Sequence, residues 1–213
     1  AHPRRWREPC RTTRTEERRV SSFSKFDVCS AALLAFGARR ILSFDDGTAE
    51  SIVAGGLYDL VVEEELARHR WNFAKKYFAL NQLVGSPAHK WAYQWQLPSD
   101  CVLLRGIYAN GENIAYEQYE GRTVGTNVAS PIAEFTGRIS EDRWPAYFMS
   151  LIKMRLEAHF VGALLKDPGT KRSMLDALDA TGGFYNKSRA LDAQEEPPHE
   201  FPKGLISRSR LRR

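Results

Sequence analysis

Apolar residues recur at helical spacing in four stretches of the chain and alternate between turn signals in a fifth. From Lys25 to Phe36 the positions Phe26, Val28, Cys29, Ala32, Leu33 and Phe36 form one face; Ser24 can cap the start, and Gly37 stands where a C-cap glycine belongs. After a short connector, Asp46 or Thr48 can cap the longest pattern, over residues 49–83. There Val53, Leu57, Leu60, Val61, Ala67, Trp71, Ala74 and Phe78 fall at three- and four-residue steps. At 1.5 Å per residue such a helix would be on the order of 50 Å long. Gly55-Gly56 costs it roughly 2 kcal/mol of propensity, which points to a kink or a close crossing.

Past Gly85 the period changes. Pro98 stops any helix, and a β insertion is expected over residues 97–139, starting at Leu97, Pro98 and Asp100. Residues 102–109 and 114–119 read as paired strands around an Asn110-Gly111 hairpin turn. A second turn at Glu120-Gly121 leads to strands over 123–128 and 132–139, completing a small antiparallel meander. Two closing helices follow, over 145–165 and 170–192, separated by Asp167-Pro168-Gly169; Gly182-Gly183 weakens the middle of the second. The expected fold is α+β and mainly α: an antiparallel helical bundle with one long helix, a small antiparallel β-sheet insertion and an extended C-terminal arm. Its helical core is expected at Val53, Leu57, Leu60, Val61, Trp71, Ala74 and Phe78. Residues 1–20 read as a disordered basic leader, 21–195 as the folded domain and 196–213 as the arm.

Charge sharpens this division. The chain of 213 residues carries +5, but residues 1–19 hold seven Arg against three Glu, and 196–213 hold one Lys and four Arg against two Glu. The body between is mildly acidic, at −2, so the basicity lies in the ends. That favours charged arms meeting a partner over a fold that grips nucleic acid. In the arm, Phe201, Leu205, Ile206 and Leu211 are apolar without an amphipathic helix to bury them. On a neighbour they would be anchors, with Arg208, Arg210, Arg212 and Arg213 meeting acidic groups or carbonyls.

Chemistry is sparse. The sequence has no GxSxG, HExxH, GxGxxG or GxxxxGK[ST] pattern. His2, His69, His89, His159 and His199 never fall at helical ligand spacing, and Cys10, Cys29 and Cys101 do not make a disulfide framework. Asp45-Asp46 and Glu63-Glu64-Glu65 read as caps and a solvated face. Trp71, Phe73, Tyr77 and Phe78 could stack bases, yet Trp71 and Phe78 lie on the apolar stripe and fit core packing better. No catalytic residue, metal or cofactor is expected, nor any membrane span, because no apolar run approaches roughly 18 residues.

Three segments, taken in order, resemble a known family. They are SKFDVCSAALLAFGARRILSFDDGTAES at 24–51, LYDLVVEEELARHRWNFAKKYFALN at 57–81 and WAYQWQLPSDC at 91–101. Together they are similar to the tail tubular protein A family of tailed bacteriophages, the adaptors between portal and tail; Trp-Asn-Phe-Ala at 71–74 and Leu-Pro-Ser-Asp at 97–100 are the most telling parts. The match spans about residues 23 to 195 and leaves out the leader. The resemblance implies a non-enzymatic virion protein, assembled in the host cytoplasm into a ring of twelve copies. The ring would sit beneath the portal, with the nozzle or next tail component on its far side and genomic double-stranded DNA passing through its lumen unheld. It also implies that the C-terminal arm docks on the portal. The rival expectation is a nucleic-acid-binding regulatory protein that uses its basic arms.

Overall fold

The computed structural model describes residues 23–85 and 90–195, so the leader and the arm, with Phe201, Leu205, Ile206, Arg208, Arg210, Leu211, Arg212 and Arg213, lie outside the described residues. The fold is mixed α+β and mainly helical, with two small antiparallel sheets. The helices are α1 (Lys25–Leu34), α2 (Ala49–Arg68), α3 (Ala146–Leu164), α4 (Pro168–Asp179) and α5 (Phe184–Ala193). α3 is their hub and packs on the other four.

Local chemistry sets the helix ends. Ser24 and Asp27 form a reciprocal capping box at the start of α1. Beyond its end Gly37 sits at φ +81, and the Ala38 amide donates to the Leu33 carbonyl at 3.1 Å. Thr48 Oγ1 caps α2 by accepting from the Ser51 amide, while Asp46 instead holds the Leu42 and Ser43 amides. Gly55-Gly56 leaves α2 continuous. Gly55 is a close crossing: a Cβ there would stand 3.3 Å from Phe44, whereas one on Gly56 would meet open space.

The long helix expected over 49–83 ends at Arg68. Trp71 Nε1 donates back to the Glu65 carbonyl at 2.7 Å, folding the chain across the helix end. Arg105 takes the freed carbonyls of Ala67 and His69, at 3.1 and 2.8 Å. After a single 3-10 turn at Asn72–Ala74 the chain continues as a strand. Trp71 and Ala74 are buried in the helical core as expected, but from that turn. Phe78 lies on a strand and is 44% exposed, and Leu60 is 66% exposed. The buried side of α2 runs through Ala54, Tyr58, Val61, Val62 and Leu66, with Val53 and Leu57 half-buried at its margin. Leu60 falls on the opposite side of that stripe. The closing helix expected over 170–192 is two helices. Gly182, at φ +82, turns the chain between them, and a Cβ on Gly183 would stand 2.4 Å from the Leu178 carbonyl oxygen. Asp167 caps α4, whose first residue is Pro168.

The β region begins earlier than expected and is not the expected meander: residues 132–137 pair with 75–79 and 101–108 instead of with 123–126, and 117–119 pair with 123–125 instead of with 102–109. Its strands are β1 (Lys75–Ala79), β2 (Asn81–Gln82), β3 (Tyr93–Gln96), β4 (Cys101–Ala109), β5 (Glu112–Asn113), β6 (Glu117–Tyr119), β7 (Thr123–Thr126) and β8 (Ile132–Gly137). One sheet has the order β1-β8-β4-β5 and the other β2-β3-β7-β6. Residues 75–82 leave the first sheet at Leu80 and join the second, and residues 112–119 cross in the same way. These two crossings bridge both edges, so the sheets form a small barrel-like body with few open edges. Its core is Leu80, Trp95, Leu97, Leu104, Ile107, Val124, Ala133 and Phe135. Asn110-Gly111, at φ 52 and 82, is the expected hairpin turn, a two-residue type I′ loop, whereas Glu120-Gly121, also at positive φ, lies in a three-residue loop closed by the Tyr119–Thr123 pair.

At the start of the insertion Leu97 is buried and its amide donates to the Arg122 carbonyl. Half-buried Pro98 accepts from the Cys101 amide, and Asp100 pairs with Lys76 Nζ at 2.5 Å. The pre-insertion residues thus hold β3, β4 and β1 together. Cys29 and Cys101 are free thiols, pushed up to about 12 and about 11 chiefly by burial. Among the described residues, no helix is long and apolar enough to cross a membrane, and no group of three or more potential ligands could hold a metal ion.

Candidate assembly surfaces

Three features rise above ordinary packing. The first is the outer face of α2. Ile52 and Leu60 are 65% and 66% exposed, and exposed Gly56 lies between them at helical spacing. Asp59, Glu63 and Glu64 flank this stripe in solvent. The opposite side of the helix is anchored through Tyr58, whose hydroxyl donates to Glu141 at 2.8 Å, and through Glu65. A rigid helix that presents two branched side chains around an unobstructed glycine suits side-by-side packing against another helix.

The second is a cluster of charges that pins α2, α3 and α4 together. Glu65 Oε1 lies 2.7 Å from Arg155 Nε and 2.9 Å from Arg68 Nη1. Arg155 also grips Asp179 with both terminal nitrogens, and Arg68 reaches the same carboxylate at 3.2 Å. Glu65 and Arg155 are almost fully buried. Glu65 Oε2 is buried with no hydrogen-bond partner among the described residues. Burial therefore pushes the Glu65 carboxyl up, against the pull of Arg155 and Arg68. Partial burial, the largest single effect, pushes the Asp179 carboxyl up, but the hydrogen bonds and charges of Arg155 and Arg68 together hold it below its ordinary value.

The third is the cleft where helices meet barrel, a cavity of about 410 Å³ lined by His69, Arg70, Arg105, Glu134 and Asp192 among others. Arg105 spans it, donating from Nε to Thr136 Oγ1 at 2.9 Å and from Nη2 to the end of α2. Asp192, on α5, accepts the Asn72 amide and the Tyr147 hydroxyl, both at 2.9 Å. Arg70 pairs with Glu134 at 3.4 Å. Burial, then the cations Arg189 and Arg105, lower the His69 pKa below that of an ordinary imidazole. These polar groups are committed across element boundaries, so the cleft works as a joint between the two halves.

Of the residues expected to matter, Val53, Leu57, Val61, Trp71 and Ala74 meet in the helical core, and Leu97, Pro98 and Asp100 meet at the base of the barrel. Leu60 and Phe78 join neither. Glu65, read from sequence as part of a solvated face, is buried in the charge cluster with Arg155. The cluster's sequence signal was Glu65 inside an acidic run and Arg155 amid the apolar positions of α3, charges where a buried stripe should run. No protein-family model and no curated protein matches this chain.

Proposed function

We propose that the chain is a structural subunit of the head-to-tail adaptor ring of a tailed bacteriophage, of the tail tubular protein A type. Its work is to join portal to nozzle and to frame the DNA conduit. The observation that carries this reading on the structural side is the outer face of α2, where Ile52 and Leu60 stand exposed on a helix whose other side is fixed in the core. The ordered resemblance over residues 23–195 supplies the partners.

In a closed ring each copy uses one surface to meet another surface of the next. Covering the exposed two-thirds of Ile52 and Leu60 contributes about 1–2 kcal/mol each, so these two residues together shift every contact by roughly thirtyfold or more. Residues 197–213 bind the portal through their apolar and arginine side chains. The body, at −2, lets DNA slide past without holding it.

A portal pull-down tests this. The chain lacking residues 197–213 should stay folded and lose the portal; undiminished capture refutes the arm's role. The rival regulator, working through basic ends, requires salt-sensitive duplex binding that vanishes when 1–20 or 197–213 is removed. An electrophoretic shift by the intact chain at physiological salt would favour it over the adaptor.

A further inference from the structure

The outer face of α2 and the last residues of the chain carry opposite chemistry. Around Ile52, Gly56 and Leu60 the helix shows Asp59, Glu63 and Glu64 to solvent; Arg138 Nη2 reaches Asp59 at 3.4 Å, and the helix's one base, Arg68, is turned to Glu65 and Asp179. Residues 197–213 carry Lys203, Arg208, Arg210, Arg212 and Arg213 against Glu200, with Leu205, Ile206 and Leu211 interspersed.

Geometry puts the two within reach. The described chain ends at Glu195, and Asp192, one turn before, lies 3.7 Å from His69, the residue that closes α2. The described chain therefore stops near the C-terminal end of that helix, with 18 residues of sequence still to follow. Leu60 is roughly 13 Å up the helix and Ile52 roughly 25 Å, while 18 extended residues span roughly 60 Å. A tethered segment sees its own helix at an effective concentration of order mM, so a contact with a dissociation constant of about 1 mM already keeps it half-bound. A second copy in dilute solution has no such advantage, and its body is itself acidic.

We propose that residues 197–213 of the free subunit lie along the outer face of α2 of their own chain, cover the surface that a neighbouring copy needs, and leave it when the portal takes them. Assembly order is then built into the chain: portal first, ring second. The contact stands on charge, apolar pattern and reach; only its role in assembly rests on the adaptor reading.

Zero-length carbodiimide crosslinking of the full chain at sub-micromolar concentration tests the contact. Lys203 is the only lysine beyond residue 195, so its crosslinks report the arm. The expected products join Lys203 to Asp59, Glu63 or Glu64 within one chain, with a yield that falls several-fold between 50 and 500 mM salt. Products that avoid α2, or that join isotopically labelled to unlabelled chains, overturn it. Assembly is tested with the full-length variant Arg208→Glu/Arg210→Glu/Arg212→Glu, which should form rings without portal. If it stays monomeric where wild type plus portal forms rings, the release step is wrong. If wild type plus portal forms none, the adaptor reading fails, and the crosslinks still decide the contact.

Discussion

Replacing Arg155 with methionine removes the cation that Glu65 and Asp179 share while keeping most of the side chain's volume. Asp179 is partly exposed and keeps Arg68 at 3.2 Å; Glu65 is buried and keeps only Arg68, at 2.9 Å. Removing one partner of a buried pair costs about 3–5 kcal/mol, because the remaining charge has lost its compensation. Protonation limits that cost. The Glu65 carboxyl is already raised by burial, and loss of Arg155 raises it further. A carboxyl raised above its unfolded value stabilises the fold below the unfolded pKa, and that help disappears as pH climbs through the folded one. In the wild type, Asp179 is depressed and loses its contribution as pH falls through its folded value. Between pH 7 and pH 5 only the Glu65 effect acts, because the Asp179 contribution is lost only below its ordinary value of 3.8: the deficit of Arg155→Met is largest near pH 7 and shrinks toward pH 5. Urea unfolding followed by tryptophan fluorescence at the two pH values measures it. Because well-packed apolar replacements of buried pairs are often neutral, Glu65→Leu/Arg155→Met should recover most of the loss. A single variant within about 1 kcal/mol of wild type near pH 7, with a double variant no better, would show that the cluster holds nothing together.

Other expectations follow from single positions. A Cβ on Gly125 would stand 2.4 Å from the Trp91 ring, so Gly125→Ala must displace the indole that donates to Glu117 at 2.9 Å. It should cost about 1–3 kcal/mol, visible as a lower melting temperature together with a changed near-UV circular dichroism of tryptophan. His69 and His159 are both held below 6.5 by burial and neighbouring cations. The unfolded chain therefore takes up their protons first, and stability should fall as pH drops below about 6.5; unfolding of a variant with both changed to Gln should lose that slope. Lys166 sits at φ +54 just past α3, so Lys166→Gly should raise stability by about 0.5–1 kcal/mol in chemical denaturation.

The sequence announced those elements whose signals were local. The Ser24 cap, the Asn110-Gly111 and Glu120-Gly121 turns and α3 all rest on contacts between near neighbours or on an apolar period kept by a single core. The end of α2 was illegible because apolar spacing runs on through Trp71, Ala74 and Phe78 after the backbone has changed form. What stops the helix is Arg105, 37 residues beyond Arg68 in sequence, reaching its carbonyls across the fold. The same blindness hid β1, whose Lys-Lys-Tyr-Phe-Ala carries no strand alternation and becomes a strand by pairing with β8. Leu60 shows the converse limit. A leucine at helical spacing reads as core, and only the packed structure shows that it faces outward.

The outer face of α2 as the ring contact is tested most directly by negative-stain microscopy of portal mixed with the full chain, wild type beside Leu60→Asp. Leu60 is solvent-facing, so the variant should unfold within about 0.5 kcal/mol of wild type. The account predicts a closed ring at one end of the portal for wild type and none for Leu60→Asp. An unaltered ring with the variant, or wild-type subunits that remain single beside the portal, would contradict it.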